Sequence, residues 1–180
     1  MEGISYPADP PADGPARSDL RYCRLRYVDF DGNDQEGELV CHADIAQDVC
    51  EIFAALYAAG YEIERIRLID AYDGDDTASM TDNNTSCFNY RLVEGTTRLS
   101  RHALGMAIDI NPFYNPYITW PNGEMRISPA GSEAYADRSK RFPYKLDRDD
   151  LAYRLFTEHG FTWGGDWNSV KDYQHFERSQ

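Results

Sequence analysis

The sequence predicts an α+β domain in which a small antiparallel sheet is flanked by helices. Segments with the two-residue period of strands and segments with helical spacing follow one another without regular βαβ alternation. An apolar content of 42% and an aromatic content of 13% indicate a folded globule. At 180 residues the chain is long enough to bury a core. We divide it into a leader, 1–19, and one domain, 20–180.

The leader is rich in Pro, Asp and Ala. It lacks the basic and apolar regions of a signal peptide. We therefore expect a disordered leader or the remnant of a longer tether.

The elements of the domain are predicted in chain order from period and turn residues. Two strands, 20–30 and 37–41, flank the turn-forming "DGND", and a helix follows within 42–60, ending at Gly60. Three further strands, a polar loop and a long excursion come next: strands 61–70, 88–93 and 105–112, loop 71–86 and excursion 114–146. Residues 147–160 predict a second helix with Asp147 as N-cap and Gly160 just past its end.

Charge and hydropathy limit the partners. Thirty-one acidic against eighteen basic residues give a net charge of −13, which repels nucleic acid and anionic membrane surfaces. No apolar run reaches the roughly eighteen residues of a membrane span. The four cysteines form no CxxC pair, and we expect them to be reduced, partly buried thiols. We also expect the protein to be a monomer.

The stretch "SRHALGMAIDINP" raises a question, because it places Asp109 between two isoleucines of a strand. Met106, Ile108 and Ile110 would share the core face, so Asp109 lies on the opposite one. A buried carboxylate is tolerated when it is paired or binds a metal. His102, seven residues upstream, could join Asp109 in a metal site that needs a third ligand.

Only four histidines can supply that ligand. His42 and His159 lie at helix ends, where capping explains them. His175 follows Asp172 by three residues in an aromatic, glycine-rich segment, so Asp172 could hold a water beside a metal on His175. Alternatively, the histidines are ordinary core residues and Asp109 pairs with a nearby arginine, Arg98 or Arg101.

Two motifs carry a resemblance. "SRHALGMAID" resembles the S-x-H-x-x-G-x-A-x-D signature of the zinc D-alanyl-D-alanine carboxypeptidase and dipeptidase family, and "DYQH" resembles its D-x-x-H signature. That family includes L-alanyl-D-glutamate endolysins and shares the Hedgehog/DD-peptidase fold. "NNTSCFNYR" is similar to the segment in which the family carries a substrate-facing arginine. The likeness covers about residues 38 to 178.

The resemblance implies one zinc ion bound by His102, Asp109 and His175. It implies that Asp172 is the catalytic carboxylate and that Arg91 stabilises the transition state or clamps a substrate carboxylate. The dipeptidase branch has Glu where this chain has Asp172, whereas the endolysin branch has Asp. We therefore expect cleavage within a peptidoglycan stem peptide or muropeptide, with D-Ala-D-Ala carboxypeptidase activity favoured.

The resemblance leaves alternatives open. One is L-alanyl-D-glutamate endopeptidase activity, and another is a non-catalytic zinc-binding recognition module of the same fold. Ser100 is a candidate for orienting the ligand loop, and Tyr114, Tyr117, Trp163 and Trp167 are candidate pocket walls. The substrate implies a cell-envelope or secreted location, although a cytoplasmic one is compatible with the chain.

Overall fold

The computed structural model describes residues 1, 3–9, 14–93 and 95–179. These residues form three α-helices and ten β-strands, an α+β arrangement as predicted. The strands form four small sheets, one of them parallel, in place of the single antiparallel sheet that was predicted. The helices are α1 (Ala43–Ala58), α2 (Asp76–Thr81) and α3 (Leu151–Glu158). The strands are β1 (Leu20–Val28), β2 (Asp34–His42), β3 (Arg65–Ile66), β4 (Asn84–Thr85), β5 (Ala107–Asp109), β6 (Tyr117–Thr119), β7 (Arg126–Ser128), β8 (Thr162–Trp163), β9 (Lys171–Asp172) and β10 (His175–Glu177).

The longest strands, β1 and β2, form an antiparallel hairpin around the predicted turn. The Asp29 carboxylate closes this turn by accepting the backbone N–H groups of Asp31 and Asn33. Gly32 has φ +79°, a conformation that glycine adopts without a steric penalty. The hairpin supplies one wall of the core.

Helices α1 and α3 supply the opposite side of that core. The apolar face predicted for α1 is buried, including Ile45 and Phe53. Phe53 packs edge-on against Phe156 of α3, whose ring stacks on Phe176 of β10 at 4.3 Å between centroids. Strand β10 is therefore held from behind by buried aromatic rings, which fixes the position of its neighbour His175.

Strand β10 is the centre of the sheet β5–β10–β8. It pairs antiparallel with β5, and His175 lies directly opposite Asp109. The predicted core face of β5 is confirmed, because Ile108 and Ile110 are fully buried. Sheet geometry thus brings together two side chains that are 66 positions apart in the chain.

The excursion 114–146 is more regular than its sequence suggests. It contains the antiparallel pair β6–β7, and β6 also pairs with β9, placing Tyr117 opposite Asp172. Strands of three residues are too short to show a two-residue period in sequence. The excursion therefore contributes to the sheet that carries Asp172.

Four element predictions are wrong. Apart from an isolated bridge at Glu62, the predicted strand 61–70 is reduced to the two residues of β3, and Ile69–Tyr72 form a 3-10 turn. The polar segment 71–86 contains helix α2, capped by the Asp75 carboxylate, and strand β4, which pairs with β3 in parallel. The predicted strand 88–93 forms only the isolated bridge Leu92–Leu99 among the described residues. The predicted N-cap of the second helix is also wrong. Asp147 closes a turn that precedes the helix by accepting the Asp149 N–H, and Asp150 is the N-cap of α3.

The described part of the leader contacts the domain, in contrast to the expected disorder. Ser5 donates a hydrogen bond to the Asp70 carboxylate at 2.7 Å, and Tyr6 packs with Val40 and Phe88 in a small apolar cluster. For residues 2 and 10–13, the prediction of disorder lies outside the described residues. The boundary between leader and domain at residue 20 stays a prediction.

Two further features bear on the sequence expectations. Within the described chain, no helix is both long and apolar enough to cross a bilayer. All four cysteines are free thiols, and three of them are buried whereas Cys50 is exposed.

Candidate metal centre and active-site cleft

The two predicted histidines and Asp109 meet in the structure. His102 begins a 3-10 turn, His102–Leu104, which Gly105 ends with φ +67°. A Cβ at Gly105 would lie 2.7 Å from the His42 backbone nitrogen, so only glycine lets the ligand turn approach β2 this closely. His102, Asp109 and His175 are 3%, 2% and 5% exposed.

The donor atoms of this triad converge on one point. His102 Nε2 lies 3.1 Å from His175 Nδ1 and 3.3 Å from Asp109 Oδ2, and His175 Nδ1 lies 3.0 Å from Asp109 Oδ1. In a tetrahedral zinc site with bonds of about 2.0–2.1 Å, neighbouring ligand atoms are roughly 3.3 Å apart. Two imidazoles and a carboxylate with this spacing fit a zinc ion.

Hydrogen bonds at the outer edge of each imidazole select the nitrogen that faces the centre. The Cys87 carbonyl lies 2.6 Å from His102 Nδ1 and accepts its proton, which leaves the Nε2 lone pair inward. Glu177 Oε2 lies 3.1 Å from His175 Nε2, which leaves Nδ1 inward. Such partners orient metal ligands and fix their tautomers.

Glu177 was missed by the sequence analysis. Its signal was the spacing H-x-E, because residues i and i+2 of a strand share a face. Gln174 was also missed: it donates from Nε2 to Asp109 Oδ2 at 3.2 Å. A carboxylate accepts only, so this contact identifies the amide nitrogen of Gln174.

The charges of the triad are coupled. Burial would raise the pKa of Asp109, but His102 and His175 outweigh burial and hold that pKa well below its usual value. Burial alone would lower the pKa of His175, yet its bonds to Asp109 and Glu177 raise it to about 10. Without a metal the centre therefore keeps a proton that a cation would displace. The alternative pairing of Asp109 with Arg98 or Arg101 does not occur among the described contacts.

Asp172 lies beside the triad but outside its donor set. Its Oδ2 is 4.0 Å from His175 Nδ1, a longer separation than any within the triad. Burial raises the pKa of Asp172 to about 8, and the neighbouring Asp109 carboxylate adds to the rise. Its Oδ1 is buried and has no hydrogen-bond partner in the described chain. A Cβ at Gly164 would come within 2.8 Å of Asp172 Cβ, so glycine is needed for this approach.

The triad opens into a cleft of about 420 Å³. Its walls include Arg91, Ser100, His102, Trp167, Asp172 and His175. Arg91 pairs with Asp76 at 2.8 Å, and its Nε is buried without a partner in the described chain. Ser100 Oγ accepts the His102 backbone N–H at 3.2 Å, which steadies the ligand turn.

The aromatic candidates divide between cleft and core. Trp167 and Tyr117 lie on the cleft, with the Trp167 ring 5.2 Å from that of His175. Trp163 is not a cleft residue: it is buried in the core and donates to the Tyr173 carbonyl. Tyr114 also lies elsewhere, between the rings of Tyr135 and Tyr144. Their aromatic character alone did not distinguish core from pocket.

The other two histidines have the roles predicted for them. His42 is the N-cap of α1 and accepts the Asp44 N–H, and His159 ends α3. His159 Nδ1 lies 2.9 Å from Asp48, whose second oxygen contacts Arg178 at 2.6 Å. These partners already satisfy the Asp48 carboxylate, so this cluster is a structural ion pair.

Comparison with known proteins covers the C-terminal part of the chain. Residues 94–178 match the protein-family model described as D-alanyl-D-alanine carboxypeptidase. No curated protein and no solved structure matches significantly. The matched segment contains the triad and Asp172, whereas Arg91 precedes it. The match confirms the resemblance drawn from the two motifs.

Proposed function

We propose that this chain is a peptidase that depends on one zinc ion and cleaves peptidoglycan stem peptides. The premise is that residues 94–178 match the model of the D-alanyl-D-alanine carboxypeptidase family. The observation that carries the proposal is the convergence of His102 Nε2, Asp109 and His175 Nδ1 within 3.0–3.3 Å of one another. We further propose the Hedgehog/DD-peptidase fold.

A zinc ion held by these three residues would supply Lewis acidity, polarising a scissile carbonyl and making water a stronger nucleophile at neutral pH. Asp172 would carry out the proton transfer. Its free Oδ1 accepts the proton of the attacking water, and the protonated carboxyl then donates to the leaving amine. Burial, which raises the pKa of Asp172 to about 8, favours the second half of this cycle.

Arg91 binds an anionic group of the substrate. It lies on the same cleft as Asp172, and its Nε, which has no partner among the described residues, leaves a donor beyond the pair with Asp76. A terminal D-alanine supplies a carboxylate next to the scissile bond, which an arginine binds with charge-assisted hydrogen bonds. For this reason we favour the D-Ala-D-Ala carboxypeptidase reaction over cleavage between L-Ala and D-Glu.

The test is to digest pentapeptide stems with the purified protein and identify the products by mass. We expect loss of a terminal alanine, and we expect a chelator to stop it. Release of the stem at L-Ala supports the endopeptidase alternative. Rapid hydrolysis of the free D-Ala-D-Ala dipeptide without cleavage of either stem bond refutes the argument that Asp172, in place of Glu, indicates a stem-peptide substrate.

The metal assignment has its own test. His102→Ala should lose both the metal and the activity, because two remaining donors hold zinc weakly. Elemental analysis that finds a full complement of zinc in this variant would overturn the assignment. Zinc bound by the wild type without cleavage of any peptide or muropeptide would favour a recognition module.

A further inference from the structure

A second cavity, of about 460 Å³, lies beside the cleft. Val93 lines both cavities. Glu177, whose carboxylate faces His175 Nε2, also lines the second one. The second cavity therefore lies on the outer side of His175, within reach of a substrate that extends from the cleft past Val93.

Arg98 and Arg101 give this cavity its charge. Neither forms an ion pair within 4.0 Å of a carboxylate in the described chain, whereas Arg65 and Arg178 each form one. Glu177 is the one acid among the described residues of the wall; the hydrogen bond from His175 and, less strongly, the charge of Arg101 lower its pKa. Guanidinium groups that have no carboxylate within 4.0 Å among the described residues, in a protein of net charge −13, are suited to an anionic ligand.

One hairpin connects this cavity to the catalytic cleft. Ser100 N–H donates to the Arg91 carbonyl at 3.0 Å, and Val93 N–H donates to the Arg98 carbonyl at 2.8 Å. The base of the hairpin carries Arg91 on the cleft, while its returning arm carries Arg98 towards the second cavity. Arg101 follows directly, next to the ligand His102. Glu94 lies outside the described residues.

We propose that the second cavity is a subsite for a carboxylate of the substrate, separate from the carboxylate that Arg91 binds. This inference rests on the proposed function and narrows its substrate class to peptides that carry two carboxylates. The second carboxylate lies beyond Val93 and is bound by Arg98 and Arg101. A substrate in which that group is amidated loses these charge-assisted hydrogen bonds.

The experiment uses two stem peptides that are identical except that a D-glutamyl carboxylate is free in one and amidated in the other. We expect the zinc-loaded wild type to cleave the acid form with about tenfold higher kcat/KM, mainly through KM. The double variant Arg98→Gln/Arg101→Gln should lose this preference, because its kcat/KM for the acid form falls to the value that it shows for the amide. Arg154→Gln, an exposed arginine on α3, is the matched control and should keep the preference.

Several results would overturn the proposal. They are equal cleavage of both peptides by the wild type, a preference that survives in the double variant, or an equal loss of both activities in that variant. Inorganic phosphate is a further probe: if it binds the wild type as tightly as the acid peptide does, the cavity is a generic anion site and the proposal fails.

A calorimetric arm separates this inference from the proposed function. If the wild type cleaves neither peptide, the proposed function fails, and binding of the two peptides is measured instead. Tighter binding of the acid peptide to the wild type but not to the double variant still supports the subsite. If the acid peptide binds the wild type and the double variant equally tightly, the subsite is refuted.

Discussion

At the residue scale, the buried carboxylate of Asp109 and the partly buried carboxylate of Asp172 have opposite surroundings. Asp109 faces two imidazoles and the Gln174 amide, so its charged form is stabilised and its pKa is held low. Burial raises the pKa of Asp172 to about 8, and its Oδ1 has no partner in the described chain. Pairs of titratable groups whose pKa values are driven apart often divide ligand and proton-transfer roles. The structure thus supports Asp109 as ligand and Asp172 as acid–base group.

Replacing Asp172 by Asn tests this division. The variant should retain zinc, because the three donors remain, while kcat falls by roughly two to four orders of magnitude, the usual contribution of general acid–base catalysis. The measurement is zinc content alongside single-turnover kinetics. Asp166→Asn serves as control, since Asp166 pairs with Arg148 away from the cleft. Loss of metal from Asp172→Asn would show that Asp172 is a ligand.

Replacing Glu177 tests the support of His175. Glu177→Gln keeps an acceptor but removes its charge, and we expect zinc affinity to fall by about tenfold. Glu177→Ala removes the acceptor, and its zinc affinity should fall by nearly a hundredfold. Competition with a chromophoric chelator measures both, and Glu158→Gln, an exposed acid at the end of α3, is the control. An unchanged affinity in both Glu177 variants contradicts the role.

At the element scale, the sequence predicted long elements well and short ones poorly. Helix α1 and the β1–β2 hairpin have periods that span many residues, so their positions were found within a few residues. Strand β9 has two residues and owes its existence to pairing with β6, a contact that no local pattern encodes. The triad was predictable because its residues lie in two short motifs, each with its own local spacing, and Glu177 had a local signal in the spacing H-x-E. Gln174 and Asp76 act through tertiary contacts that no local pattern encodes.

Helix α3 offers a test of electrostatics at an N-cap. Burial raises the pKa of Asp150 to about 6, above its ordinary value near 4. Its contribution to stability is therefore fully present below about pH 4 and is lost as pH rises through 6. Asn caps a helix about as well as Asp. Asp150→Asn should thus stabilise the protein at pH 8 by about 1–3 kcal/mol and have little effect at pH 4.

Urea unfolding at pH 4, 6 and 8 measures the difference in free energy of unfolding between Asp150→Asn and the wild type. Asp149→Asn, which removes an exposed carboxylate from the same turn, is the control. Its change in the free energy of unfolding should not rise between pH 4 and pH 8 as that of Asp150→Asn does. If Asp150→Asn destabilises the protein equally at all three pH values, the contact of Asp150 with the Ala152 N–H contributes independently of charge, and the burial argument is wrong.

At the scale of the whole molecule, the triad joins distant parts of the chain. His102 lies on a turn held by the Ser100 hydroxyl, Asp109 ends a strand in the core, and His175 begins a strand near the C-terminal end. Their coordination would cross-link segments that separate on unfolding. Metal bound only by the folded state stabilises it in proportion to the logarithm of metal concentration.

Removal of the metal should therefore lower Tm. With free zinc about a hundredfold above its Kd, the stabilisation is about 2.7 kcal/mol. For a chain of this size that corresponds to a Tm higher by roughly 5–10 °C than in the chelated protein. Calorimetry with and without chelator measures the shift, and His102→Ala should show little of it, since it lacks one donor. A shift of equal size in His102→Ala would place the stabilising ion elsewhere, and no shift in the wild type would mean that the triad does not bind zinc tightly.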